Sequence, residues 1–159
     1  MKRTLIFVFL AAAVLLVGWI GFSSKSDSVQ WFETEQQAIN YGVKEEDIQS
    51  DDILGKPKVN GETFVIYKFR SDGDLGVGTA NLVKKNHKYS WQPTKPKVIV
   101  KTKGGRATAA STTLESVSGK KFTFYAGIAN ESPNYGNLTF DPIVDSASHI
   151  YYFLEPSNF

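Results

Sequence analysis

NGETFVIYKFRSDGDLGVGTANLVKK, residues 60 to 85, decides the fold of this chain. Asn60-Gly61 stands between DILGKPKV and ETFVIYKF. A two-residue connection whose central positions both accept positive φ is the strongest short hairpin signal a sequence offers. Phe64 to Phe69 is apolar on both faces, so this strand is expected in the middle of the structure with cover on two sides. Ser71-Asp72-Gly73-Asp74 makes the next turn and Lys85-Asn86-His87-Lys88 the one after.

Gly76-Val77-Gly78 ahead of Lys84 and Lys85 suggests a phosphate loop, but the templates are not met. A dinucleotide fingerprint needs a third glycine where Asn81 stands, and a helix where Leu82-Val83-Lys84-Lys85 runs into a turn. A Walker-type loop lacks its G-x-x-x-x-G-K-[ST]. Alternation is the better reading. Leu75, Val77, Thr79, Asn81 and Val83 face one way, and Gly76, Gly78, Ala80 and Leu82 the other. A face of Gly, Gly and Ala lets another backbone come close, either the N-terminal helix or a crossing strand.

Working outward, further strands are expected at about 97 to 103, 107 to 114, 121 to 129, 136 to 143 and 149 to 154. Gly104-Gly105, Ser118-Gly119, Asn130 to Asn137 and Asp145 to Ser148 separate them. Upstream, Thr34-Glu35-Gln36-Gln37 fits a capping box, Ala38, Ile39 and Tyr41 supply a buried helix face, and Gly42 is placed for a left-handed cap. The expected fold is mainly β (α+β): an antiparallel meander of about seven or eight short strands with one short N-terminal helix.

Before this domain lies TLIFVFLAAAVLLVGWIGF, Thr4 to Phe22, uncharged and preceded by Lys2 and Arg3. As a helix it would span about 28 Å, close to the hydrocarbon thickness of a bilayer. It is expected to be a transmembrane or signal helix. Trp19 and Phe22 suit an interfacial anchor, while Gly21-Phe22-Ser23 is a passable cleavage exit. Lys2 and Arg3 keep the N-terminus inside, so either way the remainder is exported. The expected organisation is an anchor or signal segment over 1–22, a polar tether over 23–30 and an extracytoplasmic β-rich domain over 31–159. The protein is thus expected on the cell membrane as a single-pass chain with its C-terminal domain outside, or secreted after cleavage.

No cysteine occurs anywhere, which excludes a disulfide framework, a thiolate metal site, a lipidated cysteine and a cysteine nucleophile together. His87 sits in a turn among Lys84, Lys85 and Lys88 with no carboxylate near in sequence. Asp145-Ser146-Ala147-Ser148-His149 puts an acid, two hydroxyls and an imidazole close together, but without the G-x-S-x-G elbow of a hydrolase it reads as a polar turn. A metal site from Asp145, His149 and Glu131 has no recognised ligand spacing. Carboxylate pairs drawn from Glu62, Asp72, Asp74 and Glu115 carry no specific signal, and Asp72-Gly73-Asp74 departs from a calcium loop. Neither catalytic residues nor a metal or cofactor are expected.

Charge is the remaining lead. The net charge of +2 comes from Lys2 and Arg3, and it hides a strong asymmetry. Asp27 to Asp52 holds eight acids against Lys44 alone, whereas no acid occurs between Asp74 and Glu115. That acid-free span carries Lys84, Lys85, Lys88, Lys95, Lys97, Lys101, Lys103 and Arg106, with Tyr89 and Trp91 among them. These eight cations are the candidate binding residues. Outside a membrane they would meet anionic wall polymers or lipid head groups; nucleic acid is not expected there. The other reading is that they are solvated edge charges discouraging aggregation.

The runs FETEQQAINYG-VKEED, NGETFVIYKF, LGVGTANLVKK and KYSWQPTKP resemble a group of short membrane-anchored or secreted proteins of Gram-positive bacteria that have no assigned activity. The resemblance covers roughly residues 31 to 97 and the strand FTFYAGIAN. It implies compartment and fold and carries over no catalytic residue. The expected function is therefore a cell-envelope protein acting by interaction through a lysine-rich edge. A wall-directed hydrolase using His149, or a small partner of another membrane protein attached through residues 4–22, are the alternatives. Gly18 and Gly21 would allow helix packing in the latter case.

Overall fold

The structure, a computed structural model, describes residues 29–129 and 142–157. Helix α1 (Glu35–Glu45) and a 3-10 turn (Ser50–Asp52) come first. Strands β1 (Ile53–Gly55), β2 (Lys58–Val59), β3 (Glu62–Ser71), β4 (Asp74–Lys85), β5 (Lys88–Pro93), β6 (Val98–Lys101), β7 (Ala109–Glu115), β8 (Lys121–Ile128), β9 (Ile143–Val144) and β10 (Ile150–Pro156) follow. Thr4 to Phe22, the tether up to Ser28, and most of the strand expected at 136 to 143 lie outside the described residues. Among those described, no helix is long and apolar enough to cross a membrane.

All strand pairings are antiparallel, as expected for a mainly β chain with one short helix, and they fall into two sheets. In the first, β1-β3-β4-β5 lie side by side, with β2 on β3 and β6 on β4. In the second the order is β7-β8-β10-β9. Three hairpins close through two residues that both take positive φ: Asn60-Gly61, Asp72-Gly73 and Asn86-His87. Such turns match the strand twist, so the register of β2 through β5 follows from them.

The molecule is layered around β3. Phe64 and Ile66 point to the second sheet and pack with Val77, Val98, Val100, Leu114, Phe122, Phe124, Ile150 and Tyr152. Val65 and Tyr67 point the other way, into a core with Ala38 and Ile39 of α1, Ala80, Leu82 and Trp91. All four β3 residues are fully buried, which bears out the central placement.

The small face of β4 works differently from expectation. Gly78 and Gly76 are the register partners of Tyr67 and Phe69, and a Cβ on either would lie 2.5 or 2.3 Å from the partner's ring. Mainly an aromatic ring, rather than another backbone, fills the space each glycine leaves; at Gly76 the Val98 carbonyl is close as well. Gly127 and Tyr151 repeat the arrangement between β8 and β10. A cross-strand ring lying over a glycine restores the packing that the glycine lacks.

Helix α1 carries the expected capping box, with Thr34 Oγ1 accepting from Gln37 N–H and Gln37 Oε1 from Thr34 N–H. Gly42, however, is not the cap. It is buried inside the helix, where the Trp91 indole lies across it so closely that a Cβ would meet Cδ2 at 2.0 Å. Termination passes to Asp47, at φ 52°, with Asp47 N–H bonded to Lys44 O at 3.3 Å and Ile48 N–H to Val43 O at 3.1 Å. This is a Schellman arrangement, sealed by buried Ile48.

A polar clasp joins the two sheets. Buried Asn81 donates to Thr63 O at 3.0 Å and accepts from Val117 N–H at 3.1 Å. Glu62 accepts from Ser118 Oγ at 2.7 Å and pairs with Lys120 at 3.4 Å. Burial favours protonation of Glu62, but hydrogen bonds from Ser118, Asn81 and Lys120 together outweigh it and hold the carboxyl below its ordinary value.

Two outcomes follow. Gly42→Ala should cost about 2–3 kcal/mol in urea denaturation because the indole must move, whereas Asp47→Gly should add roughly 0.5–1 kcal/mol by relieving the left-handed residue. Glu62 has a lower pKa folded than unfolded, so its contribution is intact above about pH 4.5 and lost as pH falls through the folded value. Glu62→Gln should flatten the acid limb of a plot of urea midpoint against pH.

Candidate functional site

The alternation that builds the core of β3 also builds the site. Phe64 and Ile66 face the second sheet, and Lys68 and Arg70 continue the same face toward the end of the strand. A row that is apolar and fully buried thus becomes cationic where the two sheets open. Across β4, Arg70 pairs with Leu75 and Leu75 with Lys101. The Arg70 and Lys101 backbones therefore stand about 10 Å apart, while Lys68 and Arg70 are about 7 Å apart along β3.

These cations line a cleft of about 650 Å³. Its walls are Lys68, Arg70, Gly73 and Leu75 from the β3–β4 hairpin, Lys101 to Lys103 and Gly105 from the β6–β7 turn, and Ile128, Ala129 and Ala147 to His149 from the second sheet. Among the described residues, no carboxylate lines it. Of the described acids nearby, Asp52 lies 3.7 Å from Lys68, and Asp74 Oδ1 accepts the Lys103 backbone N–H at 2.7 Å, while Asp72 is exposed in the β3–β4 turn. Lys68 is a partly buried cation, with a quarter of its side chain exposed.

The second-sheet wall is a turn held by Asp145, whose Oδ2 accepts from Ser148 N–H at 2.7 Å and Ser148 Oγ–H at 2.5 Å. The Ser148 hydroxyl holds this carboxyl below its ordinary value against burial; the Ser148 N–H and neighbouring Lys68 and His149 act in the same direction. His149 is exposed at φ 56° on the lip of the cleft. Asp145 is thus committed to Ser148, and among the described residues no carboxylate hydrogen-bonds the His149 ring in the manner of a catalytic base. Glu131 lies outside the described residues, and no metal-ligating cluster occurs within them.

The eight cations singled out by sequence are divided by the fold. Lys101 and Lys103 reach the cleft, and Arg106 follows on the same β6–β7 connection. Lys84, Lys85 and Lys88 occupy the opposite end of β4, about 30 Å away along the strand. There Lys84 lies over the Tyr89 ring at 5.1 Å and Lys88 pairs with Glu33 at 3.0 Å. Lys95 is exposed. Lys97 is structural: its ammonium meets the nearly buried Glu46 carboxylate at 2.5 Å and covers the Phe69 and Tyr67 rings. Burial, and then Glu46, push ionisation of the Tyr67 hydroxyl far above its usual range.

Two cleft residues, Lys68 and Arg70, were missed by reasoning from charge runs, because each is flanked by apolar or neutral residues. Their signal was positional: cations on the inward parity of a core strand. Compared with protein-family profiles, curated proteins and solved structures, the chain matches none.

Ser148→Ala should raise the Asp145 pKa toward the ordinary carboxylate value, read from the carboxyl carbon in an NMR titration. An unchanged value would show that the hydroxyl does not hold the turn.

Proposed function

We propose that this protein is an extracytoplasmic interaction module whose cationic cleft binds a phosphate-bearing polyanion. In this reading residues 4–22 cross the membrane with the N-terminus inside and hold the β domain at its outer face; if the segment is cleaved, the same domain acts as a secreted binder. The resemblance to short anchored or secreted Gram-positive proteins points to the same compartment.

One observation carries the reading. Lys68, Arg70, Lys101 and Lys103, from two separate hairpins, converge on one cleft, and no acid lines it among the described residues. Cations gathered on one cleft repel one another, and an entering polyanion relieves that repulsion while losing little water from a partly open site. Arg70 adds a planar fork that takes two phosphate oxygens at once. Wall polymers and lipid head groups share this phosphate chemistry.

Sedimentation with cell-wall sacculi and, separately, with anionic liposomes distinguishes the two sources. Binding should weaken severalfold between about 50 and 200 mM salt, as exposed charge pairs are screened. It should be lost in an Arg70→Gln/Lys101→Gln/Lys103→Gln variant and kept in Lys84→Gln/Lys85→Gln. The reverse pattern would move the site to the β4–β5 tip, and no binding to either would remove the proposal.

A further inference from the structure

The other end of the first sheet carries an aromatic surface that the cleft does not use. Trp31 is 36% exposed and Val29 48% exposed. With Phe32, Glu33, Tyr41, Gln37, Asn40 and Lys44, Trp31 lines a shallow second cleft of about 490 Å³. Its neighbour Phe32 turns inward against Tyr41, ring centroids 5.1 Å apart, so Trp31 is left outside by the alternation of the chain.

This segment is fixed to the domain. Phe32 N–H bonds to Tyr89 O and Tyr89 N–H to Phe32 O, both at 2.8 Å, and Glu33 pairs with Lys88. The indole therefore has a set place at the β5 edge.

Its place in the sequence matters equally. Trp31 follows Phe22, the end of the apolar run, by nine residues. Even a fully extended chain keeps it within about 30 Å of that point. An exposed tryptophan with an apolar neighbour, held this close to a membrane segment, matches the interfacial layer, which accepts a ring that is apolar on its faces and polar at its N–H. The charge around it permits contact: Lys44, Lys84, Lys85 and Lys95 have no acidic partner among the described residues, against Glu45 and Asp47.

We propose that Val29 and Trp31 seat the β5 edge of the domain in the outer interfacial layer of the bilayer that residues 4–22 cross. The proposal rests on the membrane-anchored reading of that segment. Its consequence is an oriented domain, with a second contact limiting rotation about the tether.

The absence of native cysteine makes the test direct. Full-length Gln30→Cys and Thr113→Cys proteins, the second at an exposed position of β7, are spin-labelled and reconstituted into vesicles of phosphatidylcholine and phosphatidylglycerol. Collision with oxygen is compared with collision with a water-soluble nickel complex. The label at residue 30 should favour oxygen severalfold more than the label at 113, and Trp31→Ser in the Gln30→Cys background should return it to the aqueous value. A protein that floats with the vesicles but shows equal aqueous exposure at 30 and 113 would overturn the docking while leaving the anchor. A label at 30 shielded from both reagents would point to a protein contact and also overturn it. Failure to float would refute the anchor, and the docking with it.

Discussion

Burial of both faces of β3 is the constraint on which the rest depends. A strand with Phe64 and Ile66 on one side and Val65 and Tyr67 on the other cannot be stable at an edge or under water; it requires a layer on each face. The second sheet supplies one and α1 the other. With no cysteine in the chain, no disulfide shares the task of holding these layers together. Glycine and aromatic residues then set how closely the layers meet. Tyr67 over Gly78, Phe69 over Gly76 and Trp91 over Gly42 let large rings lie flat where a Cβ would hold them off. Tyr67 and Phe69 also form the platform under Lys97, so a cation that reads as part of a binding edge becomes a brace between Glu46 and the sheet.

The same strand explains why the cleft lies where it does. The inward parity of β3 runs Phe64, Ile66, Lys68, Arg70, and the two sheets stop packing where the side chains become charged. Inward-facing cations at the mouth of a core hold it open to water, because a charged group resists full desolvation. Asp74 and Asp145, two described acids beside the mouth, are each oriented by turn hydrogen bonds. The cleft and its charge are therefore products of one strand continuing past the end of its core.

Much of the fold was legible in sequence because its signals are local. Asn60-Gly61, Asp72-Gly73 and Asn86-His87 announce their hairpins through residues that accept positive φ, and Thr34 with Gln37 announces the helix start. Gly42 misled because a glycine seven residues after a helix start can be a terminator or a packing site, and only the distant Trp91 decides which. Division into two sheets was equally hidden, since it depends on β6 returning to β4 before the chain crosses to β7. The site was half legible for the same reason. A run of lysines marks charge density along the chain, but β4 separates Lys84 from Lys101 and brings Lys101 to Arg70 instead.

Anion recognition, as proposed, takes place at the open end of the two sheets rather than along a lysine edge. Backbone amide shifts followed during titration with a short polyphosphate test it most directly. Saturable changes are expected at Arg70, Leu75, Thr102 to Gly105 and Ala147 to His149, with Asn86 and His87 unmoved. Changes centred on Lys84 to Tyr89, with the cleft silent, would contradict it.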